Sequence, residues 1–413
     1  MLDIGAAGDA QGKSSADLSL PLGGGESVHR STHVHRARAL VAALIAAVVL
    51  VTGLAAAPAG ATGGDAVTVM TRNVYLGGDI MRPLNAIQGL PPEQQGPAFV
   101  AANSTLRAIV DQTSFPLRSE RLAAELAFTQ PDLVGLQEVA LWRQGPLDGS
   151  PATTVDYDFL QLLLDALAAA GEPYDVVHVQ QESDVAGPAV VGGTLRNVRL
   201  TMRDVILRRA DSAVSVQASG GGNYTTRIPL VVAGQRLEFI RGYNWADVTK
   251  GSRSLRFVNT HLESVSSDVA YAQAAELLGG PAAPNGRAAI VVCDCNSDPL
   301  DASVKPGERF AHRDPYLLIT GAGGFTDQWL RFAPASLGFT SGLGELVNDA
   351  PLDALRAFDH RIDMVFGRGA AGGSLPVQWG WVTGRNPLNR TATTPIGRLW
   401  PSDHAGVVLR VQP

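Results

Sequence analysis

Apolar residues return at every second position in one short run after another along this chain, and that period commits most of it to sheet. The runs are "AVTVMTRNV" (66–74), "RDVILRR" (203–209), "RLEFIRGYNWADV" (236–248), "RSLRFVNTHL" (253–262), "RIDMVFG" (361–367) and "HAGVVLRV" (404–411). Two more, "PDLVGLQEV" (131–139) and "AAIVVCDCNSDP" (288–299), are nearly continuous and read as buried strands. Helical periods interrupt them only here and there. "SERLAAELAF" (119–128) reads as a helix capped by Ser119, "DFLQLLLDALAAAG" (158–171) as one halted by Gly171, and "DVAYAQAAELL" (268–278) as a third ending at Gly279. Helices that do not follow every strand argue for an α+β sandwich rather than a doubly wound parallel sheet. Residues 75–118 carry Gly77, Gly78, Pro83, Pro91 and Pro92 and read as loops around one or two short helices. "GGG" at 220–222 reads as a turn or flexible loop, not a phosphate fingerprint.

The ends of the chain differ in kind. Residues 28–61 join a basic stretch holding Arg30, Arg36 and Arg38 to a charge-free apolar run and then to Ala59, Gly60 and Ala61. That order describes a secretory signal peptide cut near Ala61, with a retained membrane anchor as the other reading. Residues 1–27 are polar and Gly/Ser-rich, and read as disordered or as a misplaced start. The expected catalytic domain is 62–413. The first 61 residues hold four acids and four bases, so the mature chain keeps the net charge of −6. No broad basic face for sequence-independent nucleic-acid binding follows from that balance. Cys293 and Cys295 are the only cysteines. Placed two apart on one strand, they point the same way without converging, so they are expected as two small buried side chains rather than a disulfide.

Polar residues gather where the apolar strands stop. Asn73 closes the first strand and Glu138 closes "LVGLQE"; His261 sits in "FVNTHLE"; Asp294 and Asn296 lie two apart in "VVCDCNSD", on one face; Asp363 interrupts "RIDMVF"; Asp403 and His404 open the last strand. Carboxylate and amide oxygens are hard donors, so Asn73, Glu138 and Asp403 suit Mg2+, with Mn2+ or Ca2+ as alternatives. Zinc is disfavoured because the histidines lack short ligand spacing. Neither a G-x-x-x-x-G-K-[ST] loop nor a G-x-S-x-G elbow occurs, which disfavours nucleoside triphosphatases and serine hydrolases of the usual kind.

The ordered set "TRNVY", "PDLVGLQEV", "NTHLES", "CDCNSDP", "GFTDQW", "RIDMVF" and "SDHAGV" resembles the endonuclease/exonuclease/phosphatase superfamily over residues 66–411. The resemblance implies a four-layer α/β/β/α sandwich of two mainly antiparallel sheets, with the site where the sheets meet at their loop ends. It implies Glu138 as the principal metal ligand, with Asn73 and Asp403 beside it. It implies His261 as a donor to the phosphate, Asp294 and Asn296 as the pair orienting water and a non-bridging oxygen, and His404 as a catalytic histidine paired with Asp363. Thr340 resembles a polar residue beside the site. The flanking Cys293 and Cys295 depart from the family's Gly-Asp-Phe-Asn, while both functional positions remain.

The expected activity is that of a secreted, metal-dependent phosphoesterase using in-line water attack on a phosphodiester. The substrate is a nucleic acid or a phospholipid head group, the protein a monomer with no stable protein partner. A nuclease would use Arg72, Arg118, Arg121, Arg196, Arg199 and Arg203 on phosphates. A sphingomyelinase-like lipase would present Trp142, Trp245, Trp329, Trp379 and Trp381 to a membrane surface. The alternative is a catalytically inactive sandwich that serves as an extracellular binding protein. Asp204 in "MRDVILRR" loosely resembles a mid-chain polar position of the family; its other reading is an exposed acid paired to Arg203 or Arg208.

Overall fold

The computed structural model of the chain describes residues 64–232 and 235–413. The expected leader and the polar stretch ahead of it lie outside the described residues. In chain order the strands are β1 (Val67–Asn73), β2 (Leu133–Gln137), β3 (Leu141–Gly145), β4 (Thr154–Asp158), β5 (Tyr174–Val191), β6 (Thr194–Arg209), β7 (Ser215–Asn223), β8 (Ile228–Val232) and β9 (Gln235–Phe239). They continue with β10 (Gly242–Lys250), β11 (Arg253–His261), β12 (Ala288–Asp294), β13 (Thr326–Asp327), β14 (Asp363–Arg368), β15 (Val377–Thr383), β16 (Thr393–Thr394), β17 (Gly397–Arg398) and β18 (Gly406–Val411).

One sheet runs β15-β18-β1-β2-β6-β3-β4, with β5 also paired to β6; the other runs β13-β14-β12-β11-β10-β7. Pairing is antiparallel except at β1/β2 and β11/β12. The sheets pack face to face. Val67 and Val69 of β1, Leu133 of β2 and Leu409 of β18 meet Phe257 of β11, Val292 of β12 and Val365 of β14 in one buried cluster. The outer face of the first sheet is covered by helices Pro92–Gln112, Phe115–Thr129 and Phe159–Ala169 through Leu106, Leu122, Leu126 and Leu163. Helices Ser267–Gly279 and Asp314–Thr320 cover the second sheet through Ala274, Leu277 and Ile319. The result is the expected four-layer α/β/β/α sandwich. Each such Val or Leu taken from water stabilises it by about 1.5–3 kcal/mol.

Local chemistry departs from expectation in three places. Residues 92–112 form one long helix, because Pro91 and Pro92 stand at its opening, where a missing N–H costs nothing. The next helix starts at Phe115 with Pro116 in its first turn, so Ser119 lies inside it and donates to the Pro116 carbonyl rather than capping. Gly220, Gly221 and Gly222 lie within β7 rather than in a loop. Side chains of β5 and β10 occupy the space beside them: a Cβ on Gly220 would stand 2.9 Å from Trp245, and one on Gly221 would stand 2.3 Å from Gln180.

Candidate active site

The alternation that builds the core also builds the site. Val67, Val69 and Thr71 face the second sheet, and two residues on, at the end of β1, so does Asn73. The same parity carries Ile290 and Val292 to Asp294 in β12, Leu255 and Phe257 to His261 in β11, and Val365 back to Asp363 in β14. His261 pairs in register with Asp294, and Asp294 with Asp363, so the three stand side by side across the second sheet. From the opposite sheet Asn73 Nδ2 donates to Asp294 Oδ2 at 2.9 Å. Gly135 of β2 permits this closeness, since a Cβ there would lie 2.4 Å from Val292.

The loops bring the rest. Glu138 follows β2 at φ 60°, a conformation rare for a side-chain-bearing residue and held here by its surroundings. Its Oε2 accepts from the Leu76 N–H at 2.8 Å. Ligand atoms of Glu138, His261 and Asp294 lie within 4.8 Å of one another, as do those of Asp294, Asp363 and His404. Asp294 belongs to both groups and so links Glu138 to His404. His404 Nδ1 meets Asp363 Oδ2 at 2.8 Å. Asp403 is next to His404 in the loop before β18, not in the strand as expected, and lines one cleft of about 350 Å³ with Glu138. The donor set is oxygen-rich, and a cluster of carboxylates this close fits a hard divalent cation.

Asn296 reaches the site by a different route from the expected one. β12 ends at Asp294, and Asn296 turns back at φ 43° with its N–H on Asp294 Oδ1. The same turn brings the Cα atoms of Cys293 and Cys295 to 5.1 Å, and the two form a disulfide. In extended strand they would stand roughly 6.6 Å apart with parallel side chains. The expectation of two free cysteines failed because it carried the strand past Asp294 through Cys295 and Asn296.

Backbone anchors hold the constellation. Thr340 Oγ1 accepts from the N–H groups of Ile362 and Asp363, fixing the start of β14. Ser402 Oγ donates to the Asn73 carbonyl and accepts from the His404 N–H. Arg72 is buried: it pairs with Glu125 and donates to the carbonyls of Asn73 and His404. Arg118, also buried, donates to the carbonyls of Thr113, Val74, Tyr75 and Pro401. Both arginines are therefore framework, not phosphate contacts. Arg199 pairs with Asp184 and Arg203 with Asp158; Arg121 lies beside Glu120. None of the six expected arginines lines the catalytic cleft. Of the five expected tryptophans, Trp142 and Trp329 are buried, Trp245 packs under Arg256, and Trp379 and Trp381 are half-buried on β15.

Residues not singled out from the sequence complete the floor. Arg241 Nη1 lies 2.9 Å from His261 Nδ1. A guanidinium has no acceptor, so Nδ1 accepts from Arg241. Burial, then the charge of Arg241, pushes the His261 pKa well below its ordinary range and keeps the ring neutral. His261 Nε2 lies 3.0 Å from Asn296 Nδ2, which also donates to the Leu262 carbonyl, and 3.4 Å from Asp294 Oδ2. For His404, burial works against the charge, but Asp363, Asp403 and Asp294 together raise its pKa well above the ordinary value. Burial pushes the Asp294 carboxyl up to about 7, aided by Asp363 and Glu138, and pushes Asp403 up to about 6. Glu263, two residues past His261, and Arg241 could have been found as further polar positions flanking strand ends.

Asp204 is not an exposed ion-paired acid. It is buried in β6 with neither carboxylate oxygen hydrogen-bonded, and burial and the nearby Glu182 raise its pKa. Glu182, with one oxygen on the Gly242 N–H and the other unbonded, is pushed by burial up to about 7 from 4.5. A carboxyl raised on folding stabilises fully below its unfolded value, and that contribution is lost as pH rises through about 7. In chelator-treated protein, Tm is expected to fall between pH 5 and pH 7.5, and Glu182→Gln to remove about 2 °C or more of that fall. Superimposable melting profiles for the two proteins would contradict this.

No protein-family model matches the chain, and no curated protein matches it. Among solved structures, an endonuclease/exonuclease/phosphatase family protein from Bacteroides thetaiotaomicron is similar at 16% identity, covering 84% of this chain and 97% of that one, with a TM-score of 0.48. A mannosyl-6-phosphatase from the same species is similar at 16% identity, with 84% and 99% covered and a TM-score of 0.46. D. rerio TDP2, solved with a single-strand DNA product, is similar at 15% identity, with 85% and 100% covered and a TM-score of 0.46. At these values the chemistry below rests on the site's own geometry. The solved structures this chain resembles are endonuclease/exonuclease/phosphatase family proteins.

Proposed function

We propose that the protein is a secreted, divalent-metal-dependent phosphodiesterase. The single observation that carries this reading is Asp294 standing within ligand reach of Glu138 and His261 on one side and of Asp363 and His404 on the other. A binding module has no use for a buried carboxylate shared between a metal-type cluster and an acid–histidine pair.

Glu138, Asn73 and Asp403 would hold the cation, with Mg2+ the first candidate and Mn2+ or Ca2+ the others; when bound it neutralises phosphate charge and stabilises the charge that builds in the transition state. The remaining work falls to the chain. His261 Nε2–H donates to a non-bridging phosphate oxygen. Asp294, fixed by Asn73 and by the Asn296 N–H, orients the attacking water and accepts its proton. His404, held at Nδ1 by Asp363, turns Nε2 toward the cleft and carries the proton to the ester oxygen that departs. Export is supported by the leader-like 28–61 segment and by the Cys293–Cys295 disulfide, a bond that persists in oxidising compartments.

The test is hydrolysis of a bis-aryl phosphodiester with added Mg2+, Mn2+ or Ca2+. Activity is expected to vanish with EDTA and to return on adding back the metal. Hydrolysis that survives exhaustive chelation, or no hydrolysis with any of the three ions, would contradict the reading. The second outcome would favour a binding protein.

A further inference from the structure

A second cavity opens beside the catalytic cleft. It measures about 90 Å³ and lies between helix Pro92–Gln112, the β5/β6 hairpin, and Ile80, Pro83 and Leu84 at the short helix Arg82–Asn85. Leu106, Trp142, Val198 and Leu200 are among its walls. Its two polar neighbours are occupied: Asn103 donates to the Pro188 carbonyl, and Ser183 exchanges hydrogen bonds with the Ile240 backbone. Gly187 leaves room for Phe99 at its edge, since a Cβ there would stand 2.8 Å from the ring. The cavity is built to take carbon.

It shares a wall with the site. Ile80, Met202 and Phe239 line both the cavity and the catalytic cleft. One residue, Leu76, touches both. The Leu76 N–H holds Glu138, and the Leu76 carbonyl accepts from the Trp142 indole at 3.0 Å. The cleft itself carries Asp79, Glu138, Glu263, Glu345 and Asp403 against one lining cation, Arg241, which already faces His261 and Glu263. A polyanion whose flanking phosphates had to enter this cleft would meet carboxylates. One phosphate held by a cation, with an apolar arm, would not.

From this we infer the substrate class: an amphiphilic phosphodiester carrying one short alkyl or aryl arm, seated in the Leu106–Trp142–Leu200 cavity, in preference to nucleic acid. The inference rests on the phosphodiesterase reading above and narrows it. Burial of each additional methylene favours the bound transition state roughly fourfold until the cavity is full.

The experiment uses the metal-loaded protein and p-nitrophenyl alkyl phosphodiesters from methyl to hexyl, with a single-stranded oligonucleotide alongside. kcat/KM is expected to rise by about tenfold or more from methyl to hexyl. Ala186 lies exposed on the cavity rim, so Ala186→Trp fills the cavity from outside the fold's core. It is expected to bring the hexyl-to-methyl ratio to about one. Should that variant melt with the unfolded protein's spectrum, Ala186→Leu gives the same readout with a smaller filling. A flat series in the wild-type protein with hydrolysis intact, a chain-length gain that survives the filling, or faster turnover of the oligonucleotide would overturn the cavity assignment alone. No hydrolysis of any ester would instead overturn the phosphodiesterase reading beneath it.

Discussion

Glu138→Ala and His404→Ala are each expected to lower kcat/KM for a metal-supported phosphodiester by at least about a hundredfold, with the folded state retained. Glu138 contributes a carboxylate oxygen within 4.8 Å of ligand atoms of His261 and Asp294, and His404 is the one imidazole in the site held by a carboxylate at 2.8 Å. Because alanine also leaves the Leu76 N–H without its acceptor, Glu138→Gln is the cleaner partner. It keeps an oxygen for the Leu76 N–H and removes the charge. The two losses should not add. Both residues act through Asp294, so the double variant is expected to fall well short of the product of the singles. Wild-type turnover in either single variant, with circular dichroism unchanged, would remove the site from these residues.

Arg118→Met should lower the free energy of unfolding by about 3–5 kcal/mol, read as an earlier midpoint in urea. The guanidinium is fully buried and donates to four carbonyls from three separate chain segments. It also lies 5.0 Å over the Phe115 ring and 5.3 Å over Tyr75. Methionine matches the bulk and leaves the carbonyls without donors, each a desolvated acceptor costing about 1–3 kcal/mol if nothing replaces the bond. Val74–Tyr75 and Pro401 flank Asn73 and Asp403, so the metal affinity of any folded fraction should fall as well. A midpoint shift worth less than about 1 kcal/mol would show that water or neighbouring N–H groups take over these carbonyls.

Much of this molecule was legible in its sequence, for a local reason. Val67, Val69 and Val407 alternate because a strand turns alternate side chains to opposite faces, and the same rule extends to Asn73, Asp294 and Asp363 without any knowledge of the fold. The readings that failed did so where the local rule was continued past its end. Cys295 and Asn296 were placed on a strand that stops at Asp294. Gly220–Gly222 looked like a loop because their reason, the bulk of Trp245, Tyr243 and Gln180 beside them, lies on other strands. Arg72 and Arg118 looked like phosphate contacts, since nothing in a one-dimensional pattern tells a buried arginine from an exposed one.

The sequence by itself determined that the chain is sheet-rich, that its strands end in oxygen and imidazole donors, and which side of each strand those donors take. Only the tertiary structure decided that His261, Asp294 and Asp363 stand in register, that Arg241 donates to Nδ1 of His261, and that an apolar cavity opens beside an acidic cleft. The division has one physical cause. Alternation is set by neighbouring peptide units, whereas register, burial and the choice of partner are set by packing between segments distant in sequence, from the 20 residues between Arg241 and His261 to the 221 between Asn73 and Asp294.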